Sequence, residues 1–419
     1  MPVPRRDAAM PRAVPGPPTP SMMTTIRGYL LGPWRAVSIL GVTQIIAWGA
    51  IFYPPVLTVP LIAADQGWSR SFAMAGLSLG LLVAGLVAPT VGVMVDRHGG
   101  HVVMTIGSLA GAAGLFALAH VRGELSYLAV WVLLGAAMAA SLYDPAFATL
   151  GRIFGAGARR PITVLTLAGG FASTVSWPVT HVLLETVGWR GGYLFYAAAL
   201  AVVAAPLHAF ALPRQCADAD GHVRGHRAAA AAILPARGLS FVLVAAAFAA
   251  YAFVPSGLSA HLLAIFGRAG IDAATVVAIG ALFGPSQVAA RLFEFIFAGN
   301  VHPLNVARFA VGLVLAAFAV LALAGISPAA AAAFAVMFGM TNGLITIARG
   351  TLPLALFGAG GYGRLIGRIA GPFLVMQSAA PLVLAFVAEH TSDAYALALV
   401  AAFAVIALVC LVMIRRPKG

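Results

Sequence analysis

An arginine inside an apolar helix needs an anion. Arg291 stands in Gly284-Pro-Ser-Gln287-Val-Ala-Ala-Arg291-Leu-Phe-Glu294, a run otherwise fit for a membrane interior. A guanidinium keeps its proton in proteins, so its charge must be matched by a side chain or by an anionic ligand. Its planar fork also suits a carboxylate held at two points. Two readings follow. Glu294, three positions on, shares the helix face and would form a structural ion pair; or a substrate carboxylate docks at Arg291, with Gln287 one turn away.

A second group with chemical potential is Gly92-Val-Met-Val-Asp96-Arg97-His98-Gly99-Gly100-His101. Asp96 and Arg97 can make charge-assisted bonds across helix ends and hold one face of a bundle shut, while Gly92 lets two helices approach closely. The plainer alternative is a solvated loop that keeps positive charge on one side. Asp144 lies toward the far end of the apolar stretch 125–150, where a carboxylate is expensive and needs a partner or water. Arg97 is the expected partner, in one gate network. A proton-carrying role, for Asp144 or for Glu294, is the alternative. Gln44, Trp48, Tyr53, Asn342 and Gln377 fall at mid-depth in other apolar stretches. They are candidates to orient a substrate, or else hydrogen-bond between helices. Arg349, Arg364 and Arg368 are read as surface anchors, and His181 with Glu185 as a surface pair.

Several enzyme patterns fail on context. Gly76-Leu-Ser78-Leu-Gly80 fits a hydrolase elbow, which needs a strand-to-helix turn, yet it sits within an apolar helix. Gly358-Ala-Gly360-Gly-Tyr-Gly363 follows no strand, as a dinucleotide fingerprint must. The single lysine, Lys418, leaves no phosphate-binding loop for ATP. Cys216 and Cys410 form no metal or redox spacing. No catalysis, cofactor or metal is therefore expected.

The elements that position these residues are read from composition. The chain has 419 residues, 61% apolar and 9% charged, against about 25% charged in soluble domains. Its solvent must be mostly lipid. Apolar stretches at 34–62, 69–94, 101–120, 125–150, 161–187 and 191–211 are followed by 239–266, 272–298, 305–325, 328–350, 364–388 and 394–414; about 20 residues suffice for one crossing. The expectation is an all-α membrane protein, twelve transmembrane helices in two pseudo-symmetric six-helix bundles. The bundles would be 34–211 and 238–414, joined by a cytoplasmic linker at 212–237. A disordered proline-rich tail at 1–33 and a short tail at 415–419 flank them. No cleavable signal peptide is expected. With both termini cytoplasmic, nineteen basic residues fall on the inner side and four (Arg70, Arg122, Arg190, Arg268) on the outer. That bias accounts for the net charge of +13 without nucleic acid. Shifting the chain by 204 positions superimposes the two sets of stretches and brings Gly76 onto Gly280, Gly80 onto Gly284, Gly135 onto Gly339 and Arg160 onto Arg364.

The Gly92–Gly99 segment resembles the Gly-x-x-x-Asp-Arg-x-Gly signature of the major facilitator superfamily, in the loop where that family carries it. Here His101 and Val102 stand where the family usually has basic residues. The Gly284–Arg291 spacing is similar to the eighth helix of monocarboxylate and oxalate/formate carriers, with Gln287 where monocarboxylate carriers have an acid. Asp65-Gln-Gly67-Trp68-Ser69-Arg70 looks like the same branch. The resemblance implies a secondary transporter working by alternating access, in the bacterial inner membrane and as a monomer. Spans one, four, five, seven, eight, ten and eleven would line its cavity. The implied substrate is a small organic anion, a monocarboxylate moving with a proton and bound by Arg291. The absence of a basic residue deep in span eleven argues against a dianion. A proton-coupled efflux carrier for hydrophobic or amphiphilic compounds is the alternative substrate class, and a transporter-like membrane sensor the alternative of another kind.

Overall fold

The computed structural model describes residues 32–214 and 238–415, without a β-strand among them. The expected N-terminal tail up to residue 31, most of the expected linker (215–237, with Cys216) and residues 416–419 lie outside the described residues. The first span is α1 (Arg35–Ala47) and α2 (Pro55–Gln66), joined by a π-helical stretch, Trp48–Phe52. Pro54 and Pro55 lack the N–H that would continue the ladder, and their rings crowd the carbonyls behind them. The helix widens there, the Tyr53 N–H reaching the Trp48 carbonyl at 3.1 Å, before it breaks.

The second and third spans are α3 (Arg70–His98) and α4 (Gly100–Ala119). The fourth is α5 (Glu124–Ser141) with α6 (Tyr143–Phe154). The fifth is α7 (Arg159–Gly170) with the first part of α8 (Ala172–Ala199). Gly188, at φ 69°, turns the chain back inside α8, a conformation that suits a residue without Cβ. The remainder of α8 and the π-helical stretches after it make the sixth span. In the second half come α9 (Leu239–Arg268), then α10 (Ala273–Ala281) with α11 (Phe283–Phe297), α12 (Pro303–Ala324), α13 (Pro328–Phe357), α14 (Tyr362–His390) and α15 (Asp393–Met413). Among the described residues ten stretches are long and apolar enough to cross a bilayer; one of them, the 88 residues Glu124–Ala211, holds three passes. Leu125, Phe210 and Leu323 are 79–89% exposed, which suits lipid rather than water.

The two halves are built alike. Trp131 and Tyr127 centre the first core, and Phe253, Phe266 and Phe334 the second. A Cβ on Gly135 would strike the Gly80 carbonyl, and one on Gly339 would meet the Phe283 carbonyl at 2.6 Å. Those two approaches fall within one residue of each other under the 204-residue shift. Asp65–Arg190 and Arg268–Asp393, each 2.7 Å, are likewise equivalent pairs with the signs exchanged. Gly76 and Gly80 take the buried ring of Trp131 against their backbone, so the elbow-like pattern is a packing device. Gly135→Ala and Gly339→Ala should each destabilise the folded protein by about 1–3 kcal/mol through overpacking against main chain. Gly312→Ala, with open space at its Cβ, should not. Size-exclusion profiles after stepwise heating in detergent measure the difference.

A third apolar cluster draws on both halves, joining Tyr143, Phe147 and Leu150 to Tyr362, Leu365 and Ile366. It lies at the end of the molecule that carries Arg97, Arg152, Arg159 and Arg364, called the basic face below.

Candidate functional site

The site begins with a broken helix. Pro145 lacks the N–H that would bond the Ser141 carbonyl, and Leu142 is extended (φ −85°, ψ −156°). Gln44 fills the gap, its Nε2 donating to the carbonyls of Ser141 at 2.8 Å and Leu142 at 3.3 Å. Its Oε1 accepts from Trp48 Nε1 at 3.1 Å. The break opens α6 with Asp144 in its first turn, where the helix dipole favours a negative charge. It also sets Tyr143 against Trp48, ring centres 5.1 Å apart, with Tyr53 6.2 Å from Trp48. The Tyr143 hydroxyl lies against Gly169 of α7, and the Arg291 guanidinium against the next residue, Gly170. An aromatic wall from the first bundle thus faces the buried arginine of the second.

Arg291 is 4% exposed. Its Nη1 donates to the Thr166 carbonyl at 2.9 Å, across the bundle interface. Nη2 donates to Gln287 Oε1 at 3.1 Å and Thr346 Oγ1 at 3.5 Å, and the buried Nε has no hydrogen-bond partner among the described residues. All its acceptors are neutral. Asn342, half-buried, lies one turn before Thr346 on α13 and accepts from that hydroxyl with its carbonyl.

Between this cluster and the basic face the bundles are tied together. Asp96 at the end of α3 accepts from the backbone N–H groups of Gly363 (2.9 Å) and Arg364 (2.7 Å) at the start of α14. Gly92, Gly363 and Gly367 make that crossing a backbone-to-backbone contact: a Cβ on Gly92 would strike the Gly363 carbonyl, and one on Gly367 the Ala88 carbonyl. Arg152 donates to the Asp96 carbonyl. Asp144 and Arg349 pair at 2.8 Å between α6 and α13, and only about 10 Å³ of void remains beside Asp144. Arg159 at the start of α7 donates to Glu294 Oε1 and to the Ala298 carbonyl at the end of α11, both at 3.1 Å. Away from this face, the Ser378 hydroxyl donates to the Ser78 carbonyl at 2.7 Å.

Several expectations are corrected by this geometry. Asp144 is held by Arg349, and not by Arg97; Arg97 ends its helix on the surface, beside a 360 Å³ recess it shares with Arg364 and Arg368. Arg349 is a buried cross-bundle partner lying over the Phe373 ring, 4.3 Å from its centre, and not a surface anchor. Glu294 does not pair with Arg291 on its own helix, because Arg159 reaches it from the other bundle. Gln44 is fully buried and spends its amide on α5 and Trp48, so it positions the pocket wall without facing a ligand. Gln377 sits at the seam with α9, its carbonyl accepting from Ser256, and among the described residues no hydrogen bond ties it to the Arg291 cluster. His181 and Glu185 form the exposed pair expected of them, at 3.4 Å. Tyr143, Thr166 and Arg159 were not singled out from sequence. Arg349 had a usable signal: the internal repeat puts it one residue from the counterpart of Asp144.

Comparison with known proteins fits this architecture. Residues 37–367 match the Major Facilitator Superfamily. Monocarboxylate transporter 3 of Gallus gallus is 33% identical over 132 residues, which span 30% of this chain and 23% of that protein. Monocarboxylate transporter 11 of Mus musculus is 32% identical over 139 residues, 32% of this chain and 29% of that one. The match therefore covers less than a third of either relative. Among solved structures, the human organic anion transporter MFSD10 superimposes with a TM-score of 0.68 at 17% identity, over 91% of this chain and 99% of that one. The proton:xylose symporter XylE gives 0.67 at 11% identity, over 92% and 96%. At these identities the two structures speak for the fold alone. With twelve spans, two alike bundles and a family match over most of its length, the chain belongs to the major facilitator superfamily.

Proposed function

We propose that this protein is a secondary transporter for a small monocarboxylate, bound by Arg291 between the bundles and moved by alternating access. The basic face is cytoplasmic and the membrane is the bacterial inner membrane. The conformation is the one with the cytoplasmic side shut, Asp96, Asp144–Arg349 and Arg159–Glu294 acting as the gate. The reading is supported above all by Arg291. It is a permanently charged group, 4% exposed, with neutral acceptors only and a spare buried donor. Burying an unmatched ion costs several kcal/mol, and a carboxylate ligand removes that cost. Trp48, Tyr53 and Tyr143 supply apolar surface for the short carbon chain, and α13 brings the Thr346 hydroxyl to Arg291, with Asn342 one turn before it. The partial identity to monocarboxylate transporters points the same way. An efflux site for amphiphilic cations is disfavoured, because Arg291 would repel them. Movement of a proton with the substrate belongs to this reading, as symport down a proton gradient.

Binding tests it directly. Short monocarboxylates should raise the melting temperature of the detergent-purified protein, since a ligand of the folded form stabilises it. The shift should vanish in Arg291→Gln, and amphiphilic cations should give none. A carboxylate response unchanged in Arg291→Gln would remove the proposal.

A further inference from the structure

We infer that Glu294 is an internal counter-anion, which Arg159 holds away from Arg291 while the basic face is shut and which displaces the substrate when that face opens. The inference rests on the carboxylate reading of Arg291 and concerns how the bound anion leaves.

Two cross-bundle bonds carry it. Glu294, 2% exposed, is paired with Arg159 of α7; Arg291, on the same α11, donates to the Thr166 carbonyl of α7. Arg159 is anchored further by the Ala298 carbonyl, and Arg160 stacks its guanidinium on the Phe295 ring, 5.5 Å from its centre. These contacts all join the start of the fifth span to the end of the eighth. Any motion that parts the bundles at the basic face withdraws α7 from α11, and both buried charges lose their partners together. Arg291 keeps only Gln287 and Thr346, which are neutral. Glu294 loses Arg159, the one cation paired with it among the described residues. The nearest opposite charge for each is then the other: positions 291 and 294 are neighbours on one helix face, about 5–6 Å between Cβ atoms.

The consequence is directional. With the basic face shut, Arg159 occupies Glu294 and leaves Arg291 to a substrate arriving from the opposite side. With that face open, Glu294 competes for Arg291 and the substrate is released there. The same fold therefore holds its anion with two affinities, and Glu294 acts as a positioning residue through Arg291.

Half-saturation concentrations for a short monocarboxylate, measured at each face in proteoliposomes of known orientation, test this. Glu294→Gln should tighten half-saturation at the basic face about tenfold and slow release there, with no such tightening at the opposite face. Arg159→Gln frees Glu294 in the shut state and should weaken binding at the opposite face about tenfold; Arg159→Gln with Glu294→Gln should restore it. The double variant removes both charges of the pair, so it also controls for misfolding of either single one. Equal losses at both faces without rescue in the double variant would assign Glu294 a purely structural role. Unchanged affinity at both faces in Glu294→Gln would overturn the inference while Arg291→Gln still abolishes binding. If Arg291→Gln binds normally, the carboxylate reading itself falls.

Discussion

Arg349→Ala is expected to cost the shut conformation about 3–5 kcal/mol, the penalty for leaving a buried carboxylate without its ion. Asp144 is mostly enclosed and Arg349 is the only cation paired with it among the described residues. The loss falls on one state, because the pair bridges α6 and α13 across the bundle interface. A bias of that size shifts a two-state equilibrium by a factor of hundreds or more toward the open basic face. Ile162, fully buried and packed on Gly350 of the other bundle, reports the change. A cysteine placed there should react slowly with a water-soluble thiol reagent in the parent protein and far faster in Arg349→Ala. Asp144→Asn with Arg349→Gln should recover most of the protection, since two neutral partners carry no stranded charge. Equal labelling in all three would mean that the pair does not hold the face shut.

Arg291→Lys should reduce uptake efficiency for monocarboxylates about a hundredfold or more, nearly as severely as alanine would. The charge survives this change; the geometry does not. Arg291 bonds across three elements at once, to Thr166, Gln287 and Thr346, with Nε still spare. A single ammonium has no planar fork with which to keep those contacts and also grip a carboxylate. Initial rates of uptake into proteoliposomes over a range of substrate concentrations decide it. Full efficiency in the lysine variant would show that charge alone suffices and that the fork is not used.

The fold was legible because lipid imposes its demands on composition. The apolar stretches read from composition are helical in the structure, and the glycines matched by the internal repeat mark equivalent close approaches, Gly135 on Gly80 and Gly339 beside Phe283. The site was less legible, because its bonds cross between bundles and sequence separation says nothing of such crossings. Asp144 looked suited to Arg97, yet Arg349, 205 residues away, reaches it. Glu294 looked suited to Arg291 on its own helix, yet Arg159 competes successfully from 135 residues away. Gln44 shows a different limit. Its burial follows from Pro145, which strips a donor from the Ser141 carbonyl a hundred residues downstream. A polar side chain at mid-depth is as readily recruited to mend a neighbour's backbone as to greet a ligand.

The tie between Asp96 and α14 has an evolutionary corollary. The acid is received by main-chain amides, which every amino acid but proline supplies, so position 364 can drift widely in size and charge without disturbing that clasp. Position 96 enjoys no such freedom, since only a short acceptor of two bonds fits. Variation across descendants of this chain should accordingly be lopsided, frozen at position 96 and at the glycine it clasps, 363, and permissive at 364.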